Sequence, residues 1–405
     1  MILIGHPTGN PNSHHAALSH AEAGRLAAFV VPYFPGKTSL RLLRWLPGMH
    51  SMAMRLERRR FEPLASFPIV QGRPGEFRRL ALRALGLGDE SLSYEANDWL
   101  MKKMSGLTAN REVSAVHCYE DAALSCFESA RRLGKPCIYD MPIGYYAAWE
   151  SVLAGLLKKF EDWVPAGGVP SSRYVRPRQK ALEMELADLV LAPSSFAEAT
   201  IRAHFPGKTV RRAGYGVDSD FWHPPDDAKR SEHPMRFVYA GQLSIRKGIP
   251  LLLQAWERAR VGNCELHLVG QWQLADSKRS RLPRGVSLQP PCSREDLRAR
   301  FQECDVFVFP SNFEGFGLVF LEAMACGLPA IASGATGGPD VLDDSMGRTI
   351  EAGNLDSLVA SLEWFASHPE SLDDMRRAAR LAAVRSNWAS YRTCVREAVD
   401  QVLPA

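Results

Sequence analysis

The chain has 405 residues, 46% of them apolar and 23% charged, which is room for two ordinary soluble domains rather than one. No stretch reaches the roughly 18 uncharged apolar residues of a membrane span. The eight cysteines are scattered, with no C-x-x-C pair and no His/Cys group at zinc spacing, which argues for reduced thiols in a cytosolic compartment and against a disulfide framework.

The opening MILIGHPTGN lacks the basic start and long apolar core of a signal peptide, and reads as a first strand that breaks at a Gly/Pro/Asn turn. From Lys37 to Arg83, eleven Lys/Arg stand against three acids, so this stretch carries +8 while the whole chain carries only +4. Within it, SLRLLRWLPGMHSMAMRLERRRFEPL interleaves Trp45, leucines and methionines with arginines. Two readings stand side by side. One is a basic amphipathic surface for anionic lipid head groups or a phosphorylated acceptor. The other is a solvated helix face whose long arginine stems cover apolar surface.

Short apolar runs then alternate with longer helical ones: AVHCY, EDAALSCFESARRLG and KPCIYDM, and later MRFVYAG, IPLLLQAWERARV and CELHLVG. Strands of this length, apolar on both faces and separated by helices, predict parallel α/β sheets. Gly134 and Gly327, each followed two residues later by proline, are expected to end helices. PGKTVRRAGYGVDSDFWHPPDDAKRSEHP, residues 206–234, has no helical period and reads as the link between two domains, after which the alternation restarts. No repeat of 20–50 residues is visible.

Three motifs point away from their usual chemistry. The two PGKT tetrapeptides have Val31 and Arg202 where a phosphate-cradling loop needs its first glycine. GFGLVF has Phe320 where a dinucleotide fingerprint needs its third, so NAD is not expected. Asp218-Ser219-Asp220 sits in a Gly-rich turn, where aspartates stabilise the turn, and no metal site is assigned to it.

The segment CDVFVFPSNFEGFGLVFLEAMACGLPAIAS reads as strand, loop, helix and strand. Its loop lies at a strand's carboxyl end and a helix's amino end, where free N–H groups and the helix dipole favour an anion. Gly315 and Gly317 are expected to let a ligand approach the backbone. Glu314 is placed to accept hydrogen bonds from hydroxyls, and Glu322 lies about a turn and a half into the helix. Carboxylates there suit polyols, and a nucleotide-sugar fits them better than a metal pair. Taken alone, the spacing favours Glu314 as a helix-dipole partner and Glu322 as a solvent-facing helix residue.

Glu314-Gly-Phe-Gly…Glu322-Ala-Met-Ala-Cys-Gly-Leu-Pro resembles the E-x7-E signature of the retaining glycosyltransferases of family 4, which have the GT-B fold. FVYAGQLSIRKGIPLLLQAW, AGYGVDSDFW, GGPDVL (with Asp340 where the family has Glu) and SNWASY extend the resemblance over residues 214–405. The first half is covered only by HPTGN and AVHCYED.

The resemblance implies two Rossmann-like doubly wound domains facing a cleft: residues 1–208 on the acceptor side, 209–386 on the nucleotide-sugar side, and a helix over 387–405 returning to the first domain. It implies a donor site of Gly9, Gly241, Gln242, Arg246, Lys247, Glu314, Gly315, Phe316, Gly317, Leu318 and Glu322. Lys247 is expected to neutralise the diphosphate, and Arg246 to supply a second charge because Gln242 replaces the family's usual arginine. Glu322 should read the ribose, Glu314 the sugar, and Gly9 should let its loop close over the phosphates.

On the acceptor side, His117 takes the first position of the family's V-H-x-H-E strand end, and Tyr119 stands where a histidine faces the donor sugar. Asp140 is the candidate for orienting the acceptor hydroxyl, with Tyr145 and Tyr146 lining its site. The implied activity is metal-independent hexosyl transfer, without cofactor, from a UDP- or GDP-sugar to a glycan, glycolipid or small-molecule acceptor. It would take place in the cytoplasm, at the inner face of the membrane if the basic stretch docks there, and with no nucleic-acid partner. The rivals are an epimerase or a phosphorylase on the same fold, and a catalytically silent sugar-nucleotide binder.

Overall fold

A computed structural model of the chain describes residues 1–46, 49–57, 59–84, 91–168, 176–225 and 233–403. Two parallel sheets organise it. The first contains β1 (Ile2–Gly5), β2 (Leu26–Val31), β3 (Ile69–Gln71), β4 (Ala115–Tyr119), β5 (Cys137–Asp140), β6 (Leu189–Ala192) and β7 (Val210–Arg212), in the order β3-β2-β1-β4-β5-β6-β7. The second contains β8 (Arg236–Ala240), β9 (Glu265–Val269), β10 (Val286–Gln289), β11 (Val306–Phe309), β12 (Ala330–Ser333) and β13 (Gly347–Ile350), in the order β10-β9-β8-β11-β12-β13. This is the GT-B arrangement of two Rossmann-like domains.

Each sheet lies under helices on both faces, so its central strands are apolar without alternation. Every residue of β4, β5, β11 and β12 is buried. Phe307 and Phe309 are fully buried, and each such side chain contributes roughly 2–3 kcal/mol of burial free energy. The helices stop where the glycines predict. After the Leu124–Arg132 helix, Lys135 N–H returns to the Ala130 carbonyl at 2.9 Å, and after Leu318–Ala325, Leu328 N–H returns to Ala323 at 3.1 Å.

One segment read as linker is a strand. Val210 lies opposite Val190, and Arg212 opposite Ala192, so the first sheet runs on to residue 212. A three-residue edge strand carries too little pattern to be seen in a chain stretch rich in Gly and Pro. Of the remaining linker, residues 226–232 lie outside the described residues.

The last helix, Trp388–Asp400, is capped by Asn387, whose Oδ1 accepts Ser390 N–H at 2.9 Å. It packs on the Pro11–Glu22 helix of the first domain, where Arg392 and Arg396 both reach Glu22 Oε2, at 2.9 and 3.0 Å. Both sheets reverse their winding at one place, between β1 and β4 and between β8 and β11. Loops leaving neighbouring strands there diverge and open a crevice at the carboxyl ends, where doubly wound sheets hold ligands.

Candidate functional site

In the second domain the two loops at that reversal are tied together by backbone-directed bonds. Asn312 N–H reaches the Arg246 carbonyl at 2.8 Å, and Asn312 Nδ2 donates to the Ile245 carbonyl at 2.9 Å. Arg246 Nη1 donates to the Phe313 carbonyl at 2.9 Å. The charged groups meet on this frame. Lys247 Nζ is in direct contact with Glu314 Oε2, and Arg246 Nη1 lies 3.4 Å from the same oxygen.

Burial disfavours the charge on Glu314, but Lys247 and Arg246 outweigh it and hold the carboxyl below its ordinary range. Burial pushes the Lys247 ammonium down, and Arg246 adds to this while Glu314 opposes it. Lys247 also lies over the Phe309 ring, 5.5 Å from its centroid.

Gly317, at φ +96°, turns the chain into the Leu318–Ala325 helix, whose amino end follows the carboxyl end of β11. Glu322 is half-buried on this helix. The expectation for the glycines needs correction. A side chain on Gly315 would come within 1.8 Å of the Pro142 carbonyl oxygen, and one on Gly317 within 2.4 Å of the Phe309 ring. These glycines admit protein rather than ligand. Phe316 is buried and packs on Tyr215, ring centroids 5.8 Å apart. After β8, Gly241 takes φ +144°, and the Gln242 carbonyl accepts the Tyr239 hydroxyl at 2.9 Å, a bond that fixes this loop from beneath.

The Ser311–Gly317 loop and the Gly338–Asp340 turn wedge the domains together. Ser194 Oγ donates to the Gly315 carbonyl at 2.5 Å, and Asp340 accepts Ser195 N–H at 2.8 Å and pairs with Arg212 at 3.0 Å. Phe313 inserts between Trp149 and Phe196, at 5.4 and 5.1 Å.

On the first-domain side, Gly9 takes φ +73° in a loop held by His6. His6 Nδ1 accepts both Gly9 N–H at 2.8 Å and Thr8 N–H at 3.0 Å. Sequence reasoning missed His6, although a histidine ending β1 before a Pro-Thr-Gly turn was a signal. Burial, then His14 and Arg59, push its pKa down to about 3, so the ring stays a neutral acceptor.

His117, Tyr119 and Asp140 do come together, but inside the domain and not on an open wall. They are 0%, 1% and 3% exposed. His117 Nδ1 lies 3.0 Å from His20 Nε2, and its Nε2 lies 3.7 Å from Asp140. Tyr119 stacks on His117 and stands edge-on to His6, centroids 5.7 and 4.6 Å apart. Burial, then Asp140, push its phenol well above its ordinary range, so it is no base. The linker and the returning helix cover this cluster with Tyr215 and Tyr391, which bond Asn12. Those two elements are remote in sequence, which is why the covering was not foreseen.

Tyr145 is a second correction: it is buried against His204 and Phe205, centroids 5.0 and 5.3 Å away, and lines no open acceptor site. Asp218 does serve its turn, accepting Phe221 N–H at 3.2 Å. Among the described residues no group of three or more His, Cys, Asp or Glu could hold a metal ion.

The family match falls on the part of the chain that carries the Lys247–Glu314 cluster. The family model described as glycosyl transferases group 1 matches residues 222–382. A GDP-mannose-dependent alpha-(1-6)-phosphatidylinositol monomannoside mannosyltransferase of Mycolicibacterium smegmatis is 29% identical over 227 residues, 50% of this chain and 58% of that protein. A D-inositol 3-phosphate glycosyltransferase of Pseudarthrobacter chlorophenolicus is 28% identical over 235 residues, 53% and 52% of the two chains. The chain thus spans about half the length of the curated relatives it matches.

Among solved structures, a sucrose-phosphate synthase from Thermosynechococcus elongatus superposes with a TM-score of 0.65 at 17% identity, covering 99% of this chain and 98% of that one. Anabaena HepE in complex with UDP and glucose gives 0.61 at 14%, covering 99% of each. At these identities the likeness is one of fold.

Proposed function

We propose, from the match of residues 222–382 to the family model described as glycosyl transferases group 1, that the chain transfers a hexosyl group from a nucleoside-diphosphate sugar to an acceptor hydroxyl, with retention and without a metal ion. The observation that carries this reading is the convergence of Lys247, Arg246 and Glu314 at the point where β8 and β11 part. Two cations beside a helix amino end suit a diphosphate. Carboxylates within the same loop and helix suit the hydroxyls attached to it.

In this reading the bond from the sugar's anomeric carbon to the diphosphate oxygen breaks, and negative charge grows on the departing diphosphate. Lys247, Arg246 and the N–H groups opening the Leu318–Ala325 helix stabilise that charge in place. The acceptor oxygen bonds the anomeric carbon on the face the diphosphate leaves, and its proton passes to a leaving phosphate oxygen. No strong protein base is then needed, which agrees with the burial of Tyr119 and His117. Glu322 holds the ribose and Glu314 the sugar, while the Gly9 loop covers the phosphates. His117 and Asp140 act from behind, by fixing the strand ends of the acceptor side.

The donor is taken to be a GDP- or UDP-sugar, since one relative is named for GDP-mannose and one structural neighbour holds UDP. Binding to the native state raises apparent stability. A UDP- or GDP-sugar is therefore expected to raise the melting temperature by several degrees; no shift with either would contradict the reading.

The acceptor is taken to be a glycolipid at an anionic membrane surface, in glycan or envelope synthesis. Among the described residues no helix is long and apolar enough to cross a membrane. The Lys37–Trp45 helix, however, leaves Leu42 64% and Trp45 90% exposed beside Arg41 and Arg44. Much of the basic stretch is internally paired, Arg59 and Arg79 with the buried Glu76 among others. On the Lys37–Trp45 helix Lys37 also pairs with Glu62 and Arg44 with Glu57, so docking would rest on its exposed Leu42 and Trp45 and on Arg41. Sedimentation with anionic vesicles should fall severalfold in Trp45→Ala; equal sedimentation of both proteins, or none by either, refutes the membrane part alone.

A further inference from the structure

Glu314 Oε2 is shared by two cations, with Lys247 Nζ in contact and Arg246 Nη1 at 3.4 Å, while Gly315 N–H reaches Oε1 at 3.3 Å. The three side chains are only 14%, 13% and 22% exposed, in the order Glu314, Lys247, Arg246. Two cations held this close, and this far from water, require an anion between them, because an unpaired buried charge is costly. In the structure that anion is Glu314. In the functional reading above, the same two cations hold a diphosphate. Both partners cannot be served at full strength, since the ammonium and guanidinium donors that point at Oε2 are those a phosphate oxygen would take.

The geometry points to Glu314 as an internal stand-in for the donor's diphosphate, a carboxylate that occupies the cations until the donor arrives and is displaced by it. The inference rests on that reading of the site. On donor entry, contacts from Lys247 and Arg246 pass from carboxylate to phosphate, and the freed carboxylate meets the hydroxyls of the sugar attached to it. One residue then acts with opposite signs at two stages. Before binding it competes with the donor. After binding it helps hold the sugar in the geometry for transfer.

Glu314 therefore differs from an ordinary donor ligand, whose loss weakens binding. Removing its charge should tighten the binding of a nucleoside diphosphate, which lacks the sugar, and still lower turnover.

Titration calorimetry with UDP and with GDP on wild type, Glu314→Gln and Glu314→Asp tests this. Glu314→Gln is expected to bind the preferred diphosphate roughly tenfold more tightly than wild type, with transfer from the matching nucleotide-sugar reduced at least tenfold. Glu314→Asp keeps the charge but draws it back by one methylene, and should fall between the two in affinity. It also covers the case in which the neutral variant does not fold. If wild type binds a diphosphate and either variant binds it more weakly, or with unchanged affinity, the stand-in role is wrong while the donor site stands. If wild type binds neither UDP nor GDP, the functional reading fails and this inference fails with it.

Discussion

Lys247 sits where burial and electrostatics pull in opposite directions, and its neighbours decide which wins. Water exclusion and Arg246 lower its pKa, while Glu314 supports the charge. A similar contest sets the state of the histidines around the Gly9 loop, with no carboxylate on the other side. His6 and His14 are pushed down to about 3 and about 4, first by burial. Both lie below the 6.5 of an unfolded histidine, so the unfolded chain binds protons that the folded chain refuses.

The sign follows directly. Their contribution is intact above about pH 7, falls as pH drops through 6.5, and keeps falling toward 3–4. Each adds a slope of up to about 1.4 kcal/mol per pH unit. His6 and His14 together should therefore cost about 2 kcal/mol of stability in urea unfolding between pH 7 and pH 5.5, where ordinary carboxylates hardly titrate, and His15 and His20, lowered in the same sense, add to the loss. A flat profile would mean that His6 and His14 are protonated in the fold. His6 itself was missed at the level of sequence because its role is to accept the N–H groups of Thr8 and Gly9, and only the closed loop brings these to its ring.

At the scale of elements, the segment from Ser311 to Gly317 does two jobs. One side presents Glu314 to Lys247 and Arg246; the other docks on the first domain through Phe313 and the Gly315 carbonyl. Gly315→Ala would place a methyl 1.8 Å from the Pro142 carbonyl oxygen, backbone against backbone, so the loop or its partner must move. The second-domain core lies away from this contact and should survive. Expected is a turnover loss of about tenfold, with the melting temperature lowered by only a few degrees, measured by steady-state kinetics and thermal unfolding. Unchanged turnover would show that this docking plays no part in transfer.

The loop, its helix and the flanking strands were legible in the sequence because each is local: a buried apolar run, a glycine pair, a C′ glycine before proline. The partner of Gly315 was not, because Pro142 belongs to another domain and no spacing rule relates them. The short β7 was also missed, since three residues give no period.

At the scale of the whole molecule, two sheets of one winding order are tied by a linker and a returning helix, and that much was legible from the alternation of short and long apolar runs. The donor-side cluster was legible through its motifs: Arg246 and Lys247 follow β8 and Glu314 follows β11, strands that the sheet sets side by side although β9 and β10 lie between them in the chain. The acceptor side was not. Tyr119 and Asp140 were read as cleft residues, and His117 as a candidate that suits a core histidine at least as well; all three are buried, and Tyr215 and Tyr391, from the linker and the last helix, cover them.

The central claim is that the two cations at the β8–β11 reversal hold a nucleotide diphosphate. Titration of UDP and GDP into wild type and Lys247→Ala tests it most directly. Saturable binding of one diphosphate by wild type, weakened at least thirtyfold in Lys247→Ala while the variant keeps its fold by circular dichroism, is the predicted result; roughly 2 kcal/mol is what a charged hydrogen bond to phosphate supplies. Binding of equal strength in both proteins would contradict it.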